Sequence, residues 1–279
     1  MKFSLVLKKL FRRRIVLVAA IVLLIVVLVA LAANVVTSYD PNDTAVSQRL
    51  SPPTAAHWLG TDELGRDLLS RIAFGGRYSL TIAALTAVGS IIFGTLFGLV
   101  AGFFRQLDAS IMRVVDAMMS FPDILLAIAL VAILEPSMLN VVLALVLVYT
   151  PRVARVVRAS TLVVRELLFV EAARAVGVST GRILWRHILP NLMSPILVQA
   201  SFIFAYAILA EAALSFLGVG VPPEIPTWGT MVAGSQQYAH GALWVVMFPG
   251  FAIILTALSL QLVGDGVRDL LDPRLKKSM

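Results

Sequence analysis

From Ile15 to Ala33 the chain runs for nineteen residues without a single polar or charged side chain. In hydrocarbon every backbone N–H and C=O must be satisfied within the segment, so such a run is a helix. About 20 residues are needed to cross a bilayer, and this run has that length. Five more apolar stretches follow, at about 78–104, 115–134, 138–157, 192–217 and 243–263. The expected fold is therefore an all-α polytopic membrane protein with six transmembrane helices. Composition agrees: 14% of residues are charged and 59% hydrophobic, against about 25% charged in soluble domains. Ala30-Leu31-Ala32 has the form of a signal-peptide cleavage site. The apolar run exceeds the usual signal core of roughly 7–15 residues, so it is read as an uncleaved anchor. Either way, residue 38 lies across the membrane from residue 1.

Six spans put both termini on one side, and charge says which. Assigning that side as cytoplasmic places 19 of the 23 Lys and Arg residues inside. Arg49, Arg66, Arg71 and Arg77, in the first outer loop, are the remainder. That asymmetry is the positive-inside pattern, and it accounts for the net charge of +7 without nucleic acid. The expected organisation is a cytoplasmic N-terminus and first helix (1–37), an outer loop with a surface helix (38–77) and a membrane core (78–265). An inner loop at 160–190 interrupts the core, and a cytoplasmic tail (266–279) follows it.

The inner loop is long and reads as folded. Between Glu166 and Val176 there is no Gly or Pro, and alanines stand at 172, 173 and 175, so helix is favoured. Gly177 is placed to end it in a left-handed turn, and Ser179 or Thr180 can cap a second helix beginning near Gly181. Pro190 should stop or kink that second helix. Glu171 and Arg174 are spaced to pair, and the small side chains suit docking into a groove on another molecule.

The order Glu171-Ala172-Ala173, three residues, Gly177, nine residues, then His187-Ile188-Leu189-Pro190 resembles the cytoplasmic coupling loop of binding-protein-dependent ABC importer permeases. His187 stands where Ile is usual, a variant of the peptide and nickel branch. Glu211-Ala212-Ala213 lacks the following glycine and lies within an apolar span, so it carries no such signal. In the outer loop, His57-Trp58-Leu59-Gly60-Thr61-Asp62-Glu63-Leu64-Gly65-Arg66-Asp67 is similar to a motif of the second permease subunit in the same branch. Read locally, Thr61 caps a helix whose first turn holds Asp62 and Glu63. Asp67 pairs with Arg71 one turn on, and Leu64, Leu68 and Leu69 make an apolar face against the membrane surface or a partner. The C-terminal Asp265-to-Arg274 stretch also resembles the family's ending.

Within the spans, Ser90, Gly94, Gly98 and Gly102 recur every four residues, which makes a groove for close helix packing. Asp116 and Asp123 sit in the first half of the third span. Intramembrane acids need partners, and Arg105 and Arg113 are near enough in sequence to neutralise Asp116. Structure is favoured there over solute contact.

Several chemistries are missing. There is no cysteine and no Gly-Lys dipeptide, hence no thiolate site and no phosphate-cradling loop. His-Glu-x-x-His and Gly-x-Ser-x-Gly are absent too, so an enzyme is not expected. A nickel-binding pair of His57 and His240 stays open as a minor alternative. A proton-driven carrier is the competing class. Against it, only Glu211 lies away from the helix ends, and no internal repeat is visible. A plain structural anchor would not need the folded inner loop. The resemblance implies a type I ABC importer permease in a bacterial inner membrane. It also implies a second homologous permease, two cytoplasmic ATPase chains holding ATP and Mg, and an extracytoplasmic solute-binding protein. This chain itself would bind no cofactor. The solute would be a peptide, nickel, glutathione or a related small molecule.

Overall fold

The computed structural model describes residues 13–271; Lys2, Lys8, Lys9, Arg12 and the Asp272-Pro273-Arg274 ending lie outside them. Among the described residues the regular structure is helical, apart from one isolated bridge between Thr61 and Asp67. Helix α1 (Arg14–Leu31) enters the membrane, and a short turn at Ala33–Val36 extends it. Helix α2 (Leu68–Phe103) returns, ten residues longer at its N-terminal end than the apolar run alone suggested. Helices α3 (Arg105–Met119) and α4 (Asp123–Leu134) follow, then α5 (Met138–Val164). The inner loop carries α6 (Leu168–Ala175) and leads into α7 (Thr180–Phe216). A short α8 (Trp228–Ser235) and a long α9 (Trp244–Leu271) complete the described chain.

Five of these helices, α1, α2, α5, α7 and α9, are long and apolar enough to cross a membrane singly. The third expected span is broken. α3 and α4 meet at 91° across Ser120-Phe121-Pro122, the geometry of a broken span or a re-entrant loop, and the count of crossings reaches six only if the pair is one span. The proline explains the break, because it cannot donate into a continuing helix and restricts the residue before it. α4 alone, at 12 residues, is about 18 Å long, short of a ~30 Å hydrocarbon core. α3 is amphipathic and keeps its acids Asp108 and Asp116 on the side that meets α5.

The core is built on α2 and α5. A Cβ added at Gly94 would lie 2.4 Å from the Val153 Cβ, and one at Gly98 would lie 2.6 Å from the Ala154 carbonyl oxygen. At Gly102 it would meet the Thr161 Cβ at 2.6 Å. Ser90 donates weakly to the Val146 carbonyl at 3.4 Å on the same face. Two arginines finish helix ends. Arg77 donates to the carbonyls of Ala30 (2.6 Å) and Leu31 (2.8 Å) at the end of α1, and Arg165 donates to Gly102 at 2.6 Å at the end of α2. A cation there meets the negative end of the helix dipole. Arg13 pairs with Asp269, so the start of α1 and the end of α9 share one side of the bundle.

Candidate functional site

The inner loop is built from its turn outward. Gly177 has φ +79°, its N–H bonds the Arg174 carbonyl (2.9 Å), and Val178 N–H bonds the Ala173 carbonyl (3.0 Å). Those two bonds form a Schellman turn, which requires the left-handed residue that glycine supplies without strain. Val170, Ala173, Ile183 and Ile188 point into the bundle and are buried. Glu171, Ala172 and Pro190 are exposed, and His187 and Leu189 are half-buried. Around them Leu168 (81%), Val176 (79%) and Trp185 (74%) stand open. Large apolar side chains on a rigid, charged loop are what a docking surface offers.

Two local expectations change here. Arg174 does not pair with Glu171; its guanidinium lies over the Phe103 ring at 5.1 Å, a cation–π contact that ties α6 to the end of α2. Nor does Pro190 stop the second helix. Leu184–Ile188 is a π turn, and the helix continues through Pro190 as α7. The wider turn lies directly ahead of the proline, where the ring and missing N–H disturb the α pattern.

On the opposite face, residues 57–67 form a tight loop rather than a surface helix. The Asp62 Oδ1 accepts from the backbone N–H groups of Leu64 (2.8 Å) and Arg66 (2.9 Å). Its Oδ2 accepts from Arg66 Nε (2.6 Å) and lies 3.3 Å from Arg71 Nε. An aspartate bonding its own following backbone competes with helix. Gly60 (φ +82°) and Gly65 (φ +75°) turn the chain against Ser51 and Ala45, too close for any side chain. Thr61 donates to the Gln48 carbonyl instead of capping a helix. The cap of α2 is Asp67, which accepts from Ser70 N–H at 2.8 Å and pairs with His57 rather than Arg71. His57 has both ring nitrogens engaged within the loop, at 2.9 Å from Asp67 Oδ1 and 2.8 Å from Gln48 Oε1. Burial, with the neighbouring Asp62 charge, raises the pKa of the Glu63 carboxyl above its ordinary value. Asp62, Glu63, Arg66 and Arg71 line a half-open cavity of about 640 Å³ together with Val221, Glu224 and Met231.

The intramembrane acids take partners that are remote in sequence. Arg152 pairs with Asp123 (3.0 Å), Arg155 with Asp116 (2.6 Å) and Arg158 with Asp108 (2.5 Å). Neither Arg105 nor Arg113 serves Asp116; Arg105 lies 4.0 Å from Glu166 instead. Glu211 is one turn from the end of α7 rather than far from helix ends, and it is fully buried. Its Oε1 accepts from Ser215 Oγ (2.9 Å) and Thr227 Oγ1 (2.7 Å). Thr227 in turn caps α8 by accepting from Thr230 N–H at 3.0 Å. Gly229 lets α8 approach so closely that a Cβ there would sit 2.7 Å from the Ala212 Cα. This clasp was invisible in the sequence, since its two halves lie 16 residues apart across a loop.

Long apolar helices, a broken third span and a folded, open inner loop define the transmembrane subunit of a transporter. The chain belongs to the family of binding-protein-dependent transport system inner membrane components, which matches residues 90–277, and is a multi-pass inner-membrane protein. Residues 3–53 match the N-terminal transmembrane domain of oligopeptide transport permease C. A permease protein of Brucella suis is 50% identical over 98% of this chain and 92% of its own length. The dipeptide transport system permease of Alkalihalophilus pseudofirmus is 47% identical, over 89% of this chain and 82% of its own. The glutathione transport system permease of Pectobacterium atrosepticum is 43% identical, over 89% and 83%. In fold, the chain is similar to a chain of the inward-facing MetNI methionine ABC transporter, with TM-score 0.61. That match has 16% identity and covers 72% of this chain and 96% of the other. The chain thus has the type I ABC importer permease fold, and its relatives are permeases rather than enzymes.

Proposed function

We propose that this chain forms half of the membrane pathway of an ATP-driven importer for di- and oligopeptides, with a second, homologous permease as the other half. Two ATPase chains would bind ATP and Mg on the cytoplasmic side, and an extracytoplasmic binding protein would deliver the solute. The observation that carries this is the open inner loop. A Schellman turn at Gly177 holds Glu171 and Ala172 outward, beside exposed Leu168, Val176 and Trp185. The excess of Lys and Arg on that side supports a cytoplasmic loop and cytoplasmic termini.

In mechanism, ATP binding draws the ATPase chains together, and each inner loop travels with its ATPase. Arg174 on Phe103 and Arg165 on Gly102 pass that displacement to the end of α2. α2 and α5 move as one body because their backbones are in contact along Gly94, Gly98 and Gly102. The pathway then opens outward to receive the solute. Peptide as cargo draws support from the dipeptide and glutathione permeases among the relatives, glutathione itself being a tripeptide. Co-expression with the neighbouring permease, ATPase and binding-protein chains, followed by reconstitution, tests the assignment. Peptide uptake should require ATP and the binding protein. Uptake driven by a proton gradient with no ATPase present would overturn it.

A further inference from the structure

Four residues on three packed helices form a polar cluster that opens from the buried Tyr149 to the exposed side chains of Arg152, Asp123 and Tyr206. Arg152 donates from Nη2 to Asp123 Oδ2 at 3.0 Å. Its guanidinium carbon lies over the Tyr206 ring at 5.0 Å and the Tyr149 ring at 5.9 Å. The two rings stack, with centroids 6.5 Å apart and planes at 30°. Three helices contribute: α4, α5 and α7.

Depth makes the cluster unusual. Arg152 follows Met138 by 14 residues, Asp123 precedes Leu134 by 11 and Tyr206 precedes Phe216 by 10. At about 1.5 Å per residue these lie roughly 15–21 Å below the outer helix ends, near the middle of a ~30 Å core. Yet the side chains of Arg152 and Asp123 are 37% and 47% exposed. Charges at that depth do not face lipid; they face a water-filled path or another protein surface. On the same helix the lipid-type face is elsewhere, at Leu139, Leu143 and Leu147. The pairs Arg155–Asp116 and Arg158–Asp108 continue the charged strip inward from Arg152 as far as Arg158.

We infer that Arg152 and Asp123, with the exposed Tyr206 ring beside them, form a mid-membrane contact site for the charged ends of a zwitterionic peptide, an inference that rests on the peptide-importer reading. Only one of the guanidinium's donors is engaged by a hydrogen bond among the described residues, so the planar fork stays open to a carboxylate. Asp123 offers the complementary charge to an ammonium group. The exposed Tyr206 ring, with Tyr149 buried behind it, offers apolar area and a π face, which suit both the peptide body and a cation. A zwitterion can exchange with the existing pair without leaving either charge unpaired, which favours entry and permits release. A bare divalent cation gains no such exchange, because the guanidinium beside a lone carboxylate repels it. The site therefore selects for peptides over nickel.

The test uses the complete importer in vesicles, with the binding protein and a mixture of di- and tripeptides bearing free termini, read by mass spectrometry. The double variant Arg152→Gln, Asp123→Asn keeps a hydrogen-bonded neutral pair in the same place. It should co-purify with the other subunits and keep ATPase stimulation by the liganded binding protein. Peptide accumulated per ATP hydrolysed should fall about tenfold or more, the loss expected for one charge-assisted contact. Wild-type accumulation in an assembled double variant would overturn the inference. Should the double variant not assemble, Tyr206→Leu carries the test by removing one ring and no charge. Its accumulation per ATP should fall several-fold, and an unchanged ratio would overturn the inference. A wild-type complex that accumulates none of these peptides with ATP would sink the importer reading itself, which a competent wild type with a competent variant would not.

Discussion

Arg165, the residue that closes α5, donates from Nη1 to the Gly102 carbonyl at 2.6 Å, across 63 positions of sequence. The root of the inner loop is thereby fixed to the end of α2, and the nearby Arg174–Phe103 contact fixes α6 to the same point. In the proposed mechanism these contacts carry movement of the loop to α2. Arg165→Ala removes a cation from a helix C-terminus, worth about 1 kcal/mol in a partly buried setting. It should leave the spans inserted and the ATPase chains bound, yet lower the number of peptides carried per ATP. An unchanged ratio in reconstituted vesicles would show that force reaches the bundle elsewhere.

Gly177 gives a sharper case, because its surroundings are empty. A Cβ there meets nothing within 4 Å among the described residues, so only φ +79° resists a side chain. Gly177→Ala should cost about 1–2 kcal/mol from left-handed backbone alone, and Gly177→Val more, since its β-branched side chain tolerates that region worst. Both should reduce ligand-stimulated ATPase activity and uptake while insertion is normal, with valine the more severe. Equal activity in all three proteins would remove the turn from the coupling mechanism. Glu171→Ala, which slightly improves helix propensity, isolates the charge: lost coupling there marks a contact to the ATPase.

Gly98 is the opposite situation, where space decides. Its missing Cβ would come within 2.6 Å of the Ala154 carbonyl and 2.7 Å of the Val157 Cβ, both on or beside backbone. Gly98→Leu should separate α2 from α5 and prevent stable assembly, read as loss of a monodisperse detergent-purified complex. Gly98→Ala should assemble with lowered thermal stability. Wild-type behaviour of the leucine variant would mean that this face meets lipid.

The spans were legible because hydrocarbon leaves the backbone no alternative to helix, and the Gly94–Gly98–Gly102 period was legible because close approach demands small residues. What failed was local pairing. Thr61-Asp62-Glu63 has the form of a cap and first turn, but the Asp62 side chain takes the Leu64 and Arg66 N–H groups for itself. The cap function passes six residues on, to Asp67. Asp116 has Arg113 three residues away in the chain, yet binds Arg155, 39 residues away, because α3 lies across α5. Sequence proximity suggests ion partners only along one helix; the 91° break at Pro122 redistributes them across two. The Glu211–Thr227 clasp was not expected at all, as hydroxyl donors carry no signal until the loop closes.

The outer loop should be sensitive to pH through Glu63. Its folded pKa is raised, chiefly by burial and next by the Asp62 charge. A carboxyl whose folded pKa exceeds its unfolded value takes up protons on folding. Its favourable contribution is complete below the ordinary value near 4.5 and is lost as pH rises through the raised one. The purified protein should therefore gain thermal stability at mildly acid pH from this group, and Glu63→Gln should remove that part of the gain. Identical pH profiles for the two proteins would show that the Arg66 contact fully offsets the burial.

Glu211 separates a hydrogen-bonding role from a proton-carrying one. Its Oε1 accepts both buried hydroxyls, Ser215 at 2.9 Å and Thr227 at 2.7 Å, while Oε2 has no hydrogen-bond partner among the described residues. Glutamine keeps an acceptor in the position of Oε1 and exchanges only the unpartnered atom. Alanine leaves two buried hydroxyls without their acceptor and frees the cap of α8, a loss of about 1–3 kcal/mol for each unsatisfied group. If the clasp is the function, Glu211→Gln should retain thermal stability and ATP-driven uptake, and Glu211→Ala should lose both. The thermal midpoint in detergent and uptake in vesicles report the two effects separately. Normal stability with abolished uptake in Glu211→Gln would mean that a titrating carboxyl is needed at this position, and would reopen the case for a proton-driven carrier.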